Sequence, residues 1–264
     1  MDLQLKNKTA LVTGSTAGIG LATAKLLAKE GAKVYINGRT QQRIDEAVEG
    51  IKKETPNADI QGIAADFTKP ADIKKLVAQL PEVDILINNL SIFEPKPFFD
   101  IPDEDWLNFF DVNVMSGIRL SRQYMPQMLK KNWGRIIFIS SESALNIPEE
   151  MIHYGMTKTA ELAVSRGLAE LTKGTSVTVN SILPGPTKSE GVGGFLEQMA
   201  KQQNKTGAQV EEEFFKHVRP SSLIQRFASV EEIANFIVYI SSPLASATNG
   251  ASLRVDGGVV KTIA

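Results

Sequence analysis

The stretch Thr13-Gly14-Ser15-Thr16-Ala17-Gly18-Ile19-Gly20 decides how this chain is read. Apolar Ala10, Leu11 and Val12 precede it as a strand, and residues 21–30 follow with the spacing of a helix. A helix N-terminus leaves backbone N–H groups without partners and carries partial positive charge, so it attracts phosphate. Glycine lets the chain turn tightly and lets a bulky anion approach with no Cβ in the way. The spacing is Gly-x3-Gly-x-Gly, not the Gly-x-Gly-x-x-Gly dinucleotide fingerprint, and the Walker lysine is absent. Context therefore carries the reading: a strand before, a helix after, and Gly14, Ser15, Thr16, Gly18, Ile19 and Gly20 as candidate phosphate contacts.

Beyond this loop the chain alternates. Apolar, β-branched runs fall at 9–13, 33–37, 59–64, 83–88, 135–140, 176–183 and 252–255, with helical patterns at 19–30, 41–54, 71–79, 103–131, 150–172 and 230–241. Short apolar strands separated by helices predict an α/β fold: a doubly wound, seven-stranded parallel sheet buried on both faces by helices. No Gly, Ser or Pro-rich linker divides it, so residues 1–264 are expected to form one domain of Rossmann type. Pro126 should kink or end the long helix near its last turn. The segment 184–222 breaks the rhythm with Gly191, Gly193 and Gly194 and then a polar run. Insertions of this length are usually functional, and we read about 186–222 as a substrate lid with short helices near 195–201 and 210–217.

Composition removes several classes of chemistry. The 264 residues carry a formal net charge of −1, which gives no broad basic field for nucleic acid or an anionic membrane. No apolar run approaches the roughly 20 residues of a membrane span, and residues 1–8 are too polar for a secretory signal. Cysteine is absent, which excludes disulfides and thiolate ligands and agrees with a reducing, cytoplasmic setting. His153 and His217 are the only imidazoles, little material for a zinc centre or a Ser-His-Asp relay, and no metal site is expected.

In open α/β sheets ligands bind outside the carboxyl ends of the strands. Those ends are Gly14, Gly38 with Arg39, Asp66, Asn88, Ser140 with Ser141, and Pro184. Tyr154 and Lys158 lie four apart on a helix, hence on one face. A phenol titrates near pH ~10, and a neighbouring ammonium lowers that value towards the useful range, so the pair could exchange a proton with an alcohol or alkoxide. Chance produces Tyr-x3-Lys often, so the pair needs support. Ser141 provides it, because a hydroxyl at a strand end can hydrogen-bond a carbonyl oxygen; the plainer reading is that Ser140, Ser141 and Ser143 cap the next loop. Asn113 sits mid-helix between Val112 and Val114, which points to a buried amide.

Together these pieces resemble the short-chain dehydrogenase/reductase family over nearly the whole chain. The matching residues are Thr13-Gly-x3-Gly-Ile-Gly20, Asp66, Asn88-Asn89, Asn113, Ser141, Tyr154-x3-Lys158, Pro184-Gly185 and Arg254-Val-Asp-Gly-Gly258. The resemblance implies Tyr154 as acid/base and Ser141 polarising the carbonyl. It implies Lys158 on the nicotinamide ribose lowering the Tyr154 pKa, and Asn113 positioning a water. It adds Pro184, Gly185 and Thr187 to the cofactor contacts, and Ser143, Ile147 and Pro186 beside Ser141 and Tyr154 at the substrate. Ile92, Phe93, Met151, His153, Val192 and Phe195 complete a mostly apolar cleft. One departure is Asn88-Asn89-Leu90-Ser91, where the family usually has Asn-Asn-Ala-Gly, and Ser is unstrained there only if φ is negative.

NAD-preferring relatives carry an Asp near the end of the second strand. Here that strand ends Asn37-Gly38-Arg39, and Arg39 could bond a 2′-phosphate, which favours NADP with NAD possible. The expected function is hydride transfer between NADP(H) and a small carbonyl/alcohol pair. The alternatives are a 3-oxoacyl-carrier-protein reductase, with Arg119, Arg122, Lys130 and Lys131 facing an acidic carrier, or a nucleotide-binding sensor without turnover. The resemblance further implies a homodimer or homotetramer packed through the two long helices, with Gly117, Gly155, Ala160, Ala163 and Gly167 at the contact.

Overall fold

The computed structural model describes residues 1–263, apart from the side chains of Phe195 and Gln198. Seven strands, β1 (Thr9–Val12), β2 (Lys33–Gly38), β3 (Ile60–Ala64), β4 (Ile85–Asn88), β5 (Gly134–Ile139), β6 (Val177–Pro184) and β7 (Ser252–Val255), form one sheet. All pairs are parallel, in the order β3-β2-β1-β4-β5-β6-β7. The order reverses at β1, so the crevice lies where β1 and β4 diverge, beside the loop that opens the sequence argument.

Side chains alternate across the sheet as a period of two requires. Ala10, Val12, Ile85, Ile87, Ile137 and Ile139 face one layer, made by α1 (Gly18–Lys29), α2 (Gln41–Glu54) and α9 (Val230–Ile240). Leu11, Leu86, Ile136 and Phe138 face the other, made by α3 (Pro70–Gln79), α5 (Ser116–Lys131) and α6 (Ile152–Glu170). No helix of the described residues is long and apolar enough to cross a membrane.

Several expectations are corrected. The long helix is three pieces: α4 (Asp103–Phe109), a π-helical segment Phe110–Met115, and α5. It does not end at Pro126, because the carbonyl deprived of a donor belongs to Arg122 on an exposed turn, where water can serve it. Gly117 and Gly155 do not face outward. A Cβ at Gly117 would lie 2.6 Å from the Phe138 ring, and one at Gly155 would lie 2.7 Å from Ile147, so both serve packing within the chain. Ala163 and Gly167 are exposed.

The insertion is more helical than expected. α7 (Glu190–Gln203) and α8 (Gly207–Glu213), then a π turn Phe214–Val218, enclose a small core of their own from Leu196, Val210, Phe215 and Phe227. Gly191, Gly193 and Gly194 form the first turns of α7, and none has a positive φ. Ser189 accepts the Val192 N–H at the start of this helix, the N-cap that fixes where it begins.

Candidate active site

The loop after β1 has the build of an anion cradle. Gly14 (φ +57°) and Gly18 (φ +58°) occupy the left-handed region, where a side chain would be strained. A Cβ at Gly20 would lie 2.5 Å from Asn89 Nδ2 and 2.7 Å from the Gly14 carbonyl oxygen, so only glycine lets α1 seat this closely. Among the described residues no side chain caps α1, and its first turn holds no acid. Its free N–H groups and positive end are open to a phosphate. The residues present therefore fit a dinucleotide.

Its neighbours sort into contacts and braces. Thr16 and Ile19 are partly exposed at the cradle, as is Gly18. Ser15, expected as a contact, is instead buried: its Oγ donates to the Val12 carbonyl (2.6 Å) and accepts the Asn37 N–H (2.9 Å), tying β1 to β2. Asn88, also expected, turns its side chain away towards Ser121 on α5 (3.3 Å). The residue holding the loop is Asn89, whose Nδ2 donates to the carbonyls of Thr13 (2.9 Å) and Gly14 (3.0 Å). The doubled asparagine in the sequence was the only signal for it. Neither Leu90 nor Ser91 has a positive φ, so serine is unstrained there.

At the end of β2, Arg39 is exposed and has no partner among the described residues. Asp66, past β3, accepts the Thr68 N–H (3.1 Å) and hydroxyl (2.7 Å), and the Thr68 hydroxyl above all holds its pKa below the usual carboxylate value. Pro184 ends β6 paired with Val255 of β7, and just beyond it a Cβ at Gly185 would lie 2.5 Å from the Asp256 carbonyl oxygen. Thr187 Oγ1 donates to the Gly185 carbonyl (2.8 Å), and the Pro186 carbonyl accepts the Ala228 N–H (2.9 Å).

The chemistry-bearing residues meet at the carboxyl end of β5. Ser141 begins the turn Glu142–Ala144, and its Oγ accepts the Ser143 N–H (3.1 Å). The same hydroxyl donates to Glu142 Oε2 at 3.1 Å, and the Ser143 hydroxyl donates to that oxygen too. Ser143 is buried and committed to Glu142, which corrects its placement against substrate. Arg219, directly after the π turn Phe214–Val218, donates from Nε to Glu142 Oε1 (2.9 Å) and from Nη1 to Glu150 (3.3 Å).

Asn113 lies in the π segment, a local widening that turns its amide inward. Oδ1 accepts the Ile92 N–H (2.8 Å), and Nδ2 donates to the Ile92 carbonyl and the Thr157 hydroxyl (both 3.0 Å). Its side chain is therefore a brace between the loop after β4 and α6.

Tyr154 and Lys158 share one face of α6, with the Lys158 Nζ 5.6 Å from the centre of the Tyr154 ring. The expected lowering of the phenol pKa is reversed here. Burial of the hydroxyl raises it most, hydrogen bonding to Ser141 opposes, and the Glu161 and Glu142 carboxylates raise it further against Arg219. Lys158 is otherwise engaged: its Nζ donates to the Ile139 carbonyl (3.0 Å) and to both oxygens of Glu161 (3.1 and 3.2 Å). Sequence reasoning missed Glu142, Glu161 and Arg219, since a charged residue in a sequence usually marks solvent.

The crevice beside Tyr154 is bounded by half-exposed Phe93, edge-on to the phenol with centroids 6.3 Å apart, and by half-exposed Ile147. Ile92, Met151 and Pro186 are partly exposed. His153 is not part of it: the ring is fully buried against Phe109, with centroids 4.1 Å apart, and near Trp106. Val192 packs on the core of the insertion, and the Phe195 side chain lies outside the described residues.

Residues 8–210 match the family model described as short chain dehydrogenase. The chain is 49% identical over 263 residues, the full length of both, to the uncharacterized oxidoreductase YvaG of Bacillus subtilis (strain 168). It is 47% identical over 266 residues, again full length, to the uncharacterized oxidoreductase YvrD of the same organism. Among solved structures it resembles L-sorbose reductase from Gluconobacter frateurii complexed with NADPH and L-sorbose. That likeness has a TM-score of 0.92 and 30% identity, and it covers all of both chains.

Proposed function

The chain belongs to the short-chain dehydrogenases and is an NAD(P)-dependent oxidoreductase acting on a carbonyl/alcohol pair; from that premise we propose that it uses NADPH to reduce a small hydroxylated carbonyl compound, with Tyr154 as proton donor. One observation carries the reading: the Tyr154 hydroxyl, its Ser141 partner and Lys158 gather at the carboxyl end of β5, the same edge of the parallel sheet from which β1 leads into the uncapped, acid-free start of α1. The N–H groups of Gly18, Ile19 and Gly20 would hold the cofactor phosphates, and Arg39 would hold the 2′-phosphate. Bound NADPH supplies the hydride. The Ser141 hydroxyl leaves Glu142 and donates to the carbonyl oxygen, holding the charge that develops there. The Tyr154 O–H then gives its proton to the alkoxide. Asp66, Pro184, Gly185 and Thr187 line the rest of the cofactor crevice.

The hydroxylated substrate rests on likeness to the sorbose reductase, which was solved complexed with NADPH and L-sorbose. The segment 186–222 acts as a lid of one domain, and the exposed faces at Ala163 and Gly167 pair copies of the chain into a dimer or tetramer. The absence of cysteine suits a cytoplasmic enzyme. The test follows NADPH and NADH oxidation over a panel of ketoses, simple ketones and 3-oxoacyl thioesters. The reading expects NADPH-linked reduction of the ketoses. Cofactor binding with no turnover on any compound would replace it with a sensor, and thioester reduction alone would replace the substrate class.

A further inference from the structure

A carboxylate stands in direct contact with Lys158, and the reaction as described has no use for it. Glu161 lies three residues beyond Lys158 on α6, is 2% exposed, and receives hydrogen bonds from the ammonium on both oxygens. An ammonium has three N–H donors. Those of Lys158 go to the Glu161 carboxylate and the Ile139 carbonyl, so a ribose hydroxyl must compete with Glu161 for the ammonium. The described charged groups around this cluster are Lys158 and Tyr154 on α6, Glu142 in the turn after β5, and Arg219 after the π turn Phe214–Val218. None of the cations except Lys158 contacts Glu161.

We propose that Glu161 is a positioning residue which competes with the cofactor ribose for the Lys158 ammonium, and that it takes up a proton when the cofactor draws the ammonium away. The proposal rests on the reading that Lys158 binds the ribose. A buried carboxylate that loses its only counter-charge cannot stay ionised cheaply, so it protonates. Burial already raises the Glu161 pKa, with Lys158 opposing, to about 7. Losing the Lys158 contact raises it further. Because the complex then has the higher pKa, affinity is constant below pH about 7, falls as pH rises from there to the value in the complex, and levels off above it. One coupled proton weakens binding at most about tenfold per pH unit. As Glu161 loses its charge, its repulsion of the Tyr154 phenolate also ends, and the released ammonium can act on the phenol.

The experiment is calorimetric titration of the folded protein with NADPH just above neutral pH, in two buffers of different ionisation enthalpy, on wild type, Glu161→Gln and Lys158→Ala. Wild type should take up more than about half a proton per NADPH there, and its Kd should rise severalfold, at most about tenfold, over the next pH unit. Glu161→Gln keeps the side-chain shape but cannot titrate, so its proton uptake should vanish and its Kd should stay flat. Glu161→Met serves if the amide variant does not fold. No proton uptake in wild type, or equal uptake in wild type and the Gln or Met variant, would overturn the proposal and leave the ribose reading intact. Lys158→Ala binding NADPH as tightly as wild type would instead overturn the ribose reading.

Discussion

The Tyr154 hydroxyl lies among Ser141, Glu142, Glu161 and Arg219, and its ionisation is the sum of their effects and of its burial. Since burial and two carboxylates outweigh Ser141 and Arg219, the phenol of the cofactor-free protein should stay protonated through pH ~10, the ordinary value. An ultraviolet difference titration against Tyr154→Phe reads this directly, and an ionisation below pH about 9 would contradict the charge arrangement described here. Arg219 is the group whose loss should cost most. Its side chain is 9% exposed, and without it the Glu142 carboxylate, 4% exposed, keeps only hydroxyl donors. Removing one partner of a buried pair typically costs about 3–5 kcal/mol, so Arg219→Ala should lower the thermal midpoint strongly. Adding Glu142→Gln should recover part of the loss; no recovery would mean that Arg219 acts by packing alone.

At the scale of elements, the insertion is a unit with its own small core. Leu196, Val210, Phe215 and Phe227 hold α7 and α8 together without touching the clusters beneath the sheet. Phe215→Ala should therefore speed amide exchange across 190–218 while β1, β4 and β5 keep their protection. Uniform loss of protection would contradict that independence. The insertion's two helices were legible near 195–201 and 210–217, but the early start of α7 at Glu190 was not, because Gly191, Gly193 and Gly194 argue against a helix and only the Ser189 cap starts one there. The π segment was hidden for a related reason: the pattern at 103–131 is helical throughout, and the single widened turn follows from Asn113 bonding Ile92 and Thr157, contacts with distant parts of the chain. The central strands were legible because β1, β4, β5 and β6 are short, mostly apolar runs buried on both faces. The glycine loop was legible because backbone geometry dictates glycine. Glu142 and Arg219 were not, since they pair across 77 positions, and Glu161, though only three residues from Lys158, is hidden because the sequence does not show its burial.

For the whole molecule, the doubly wound sheet gathers the strand ends into one crevice with the α1 N-terminus at one side and Tyr154 at the other. Arg39 stands exposed at the far end of that crevice, so NADPH should bind more tightly than NADH, and Arg39→Ala should remove most of the gap. A charge-assisted bond to phosphate is worth about 1.5–3 kcal/mol, or roughly ten- to a hundredfold, and more at low salt. Arg39 is the better position to vary than Gly38, where any Cβ would lie 2.6 Å from the Thr16 methyl group and disturb the cradle itself. Equal affinity for NADH and NADPH at low ionic strength would show Arg39 to be an ordinary surface residue. The central claim is that one hydroxyl supplies the proton for a hydride transfer from NADPH. Side-by-side measurement of NADPH affinity and of turnover on an accepted carbonyl substrate, in wild type and Tyr154→Phe, tests it most directly. The account predicts an unchanged Kd and a rate lower by about 10²–10⁴-fold in the variant. Turnover near the wild-type rate would contradict it.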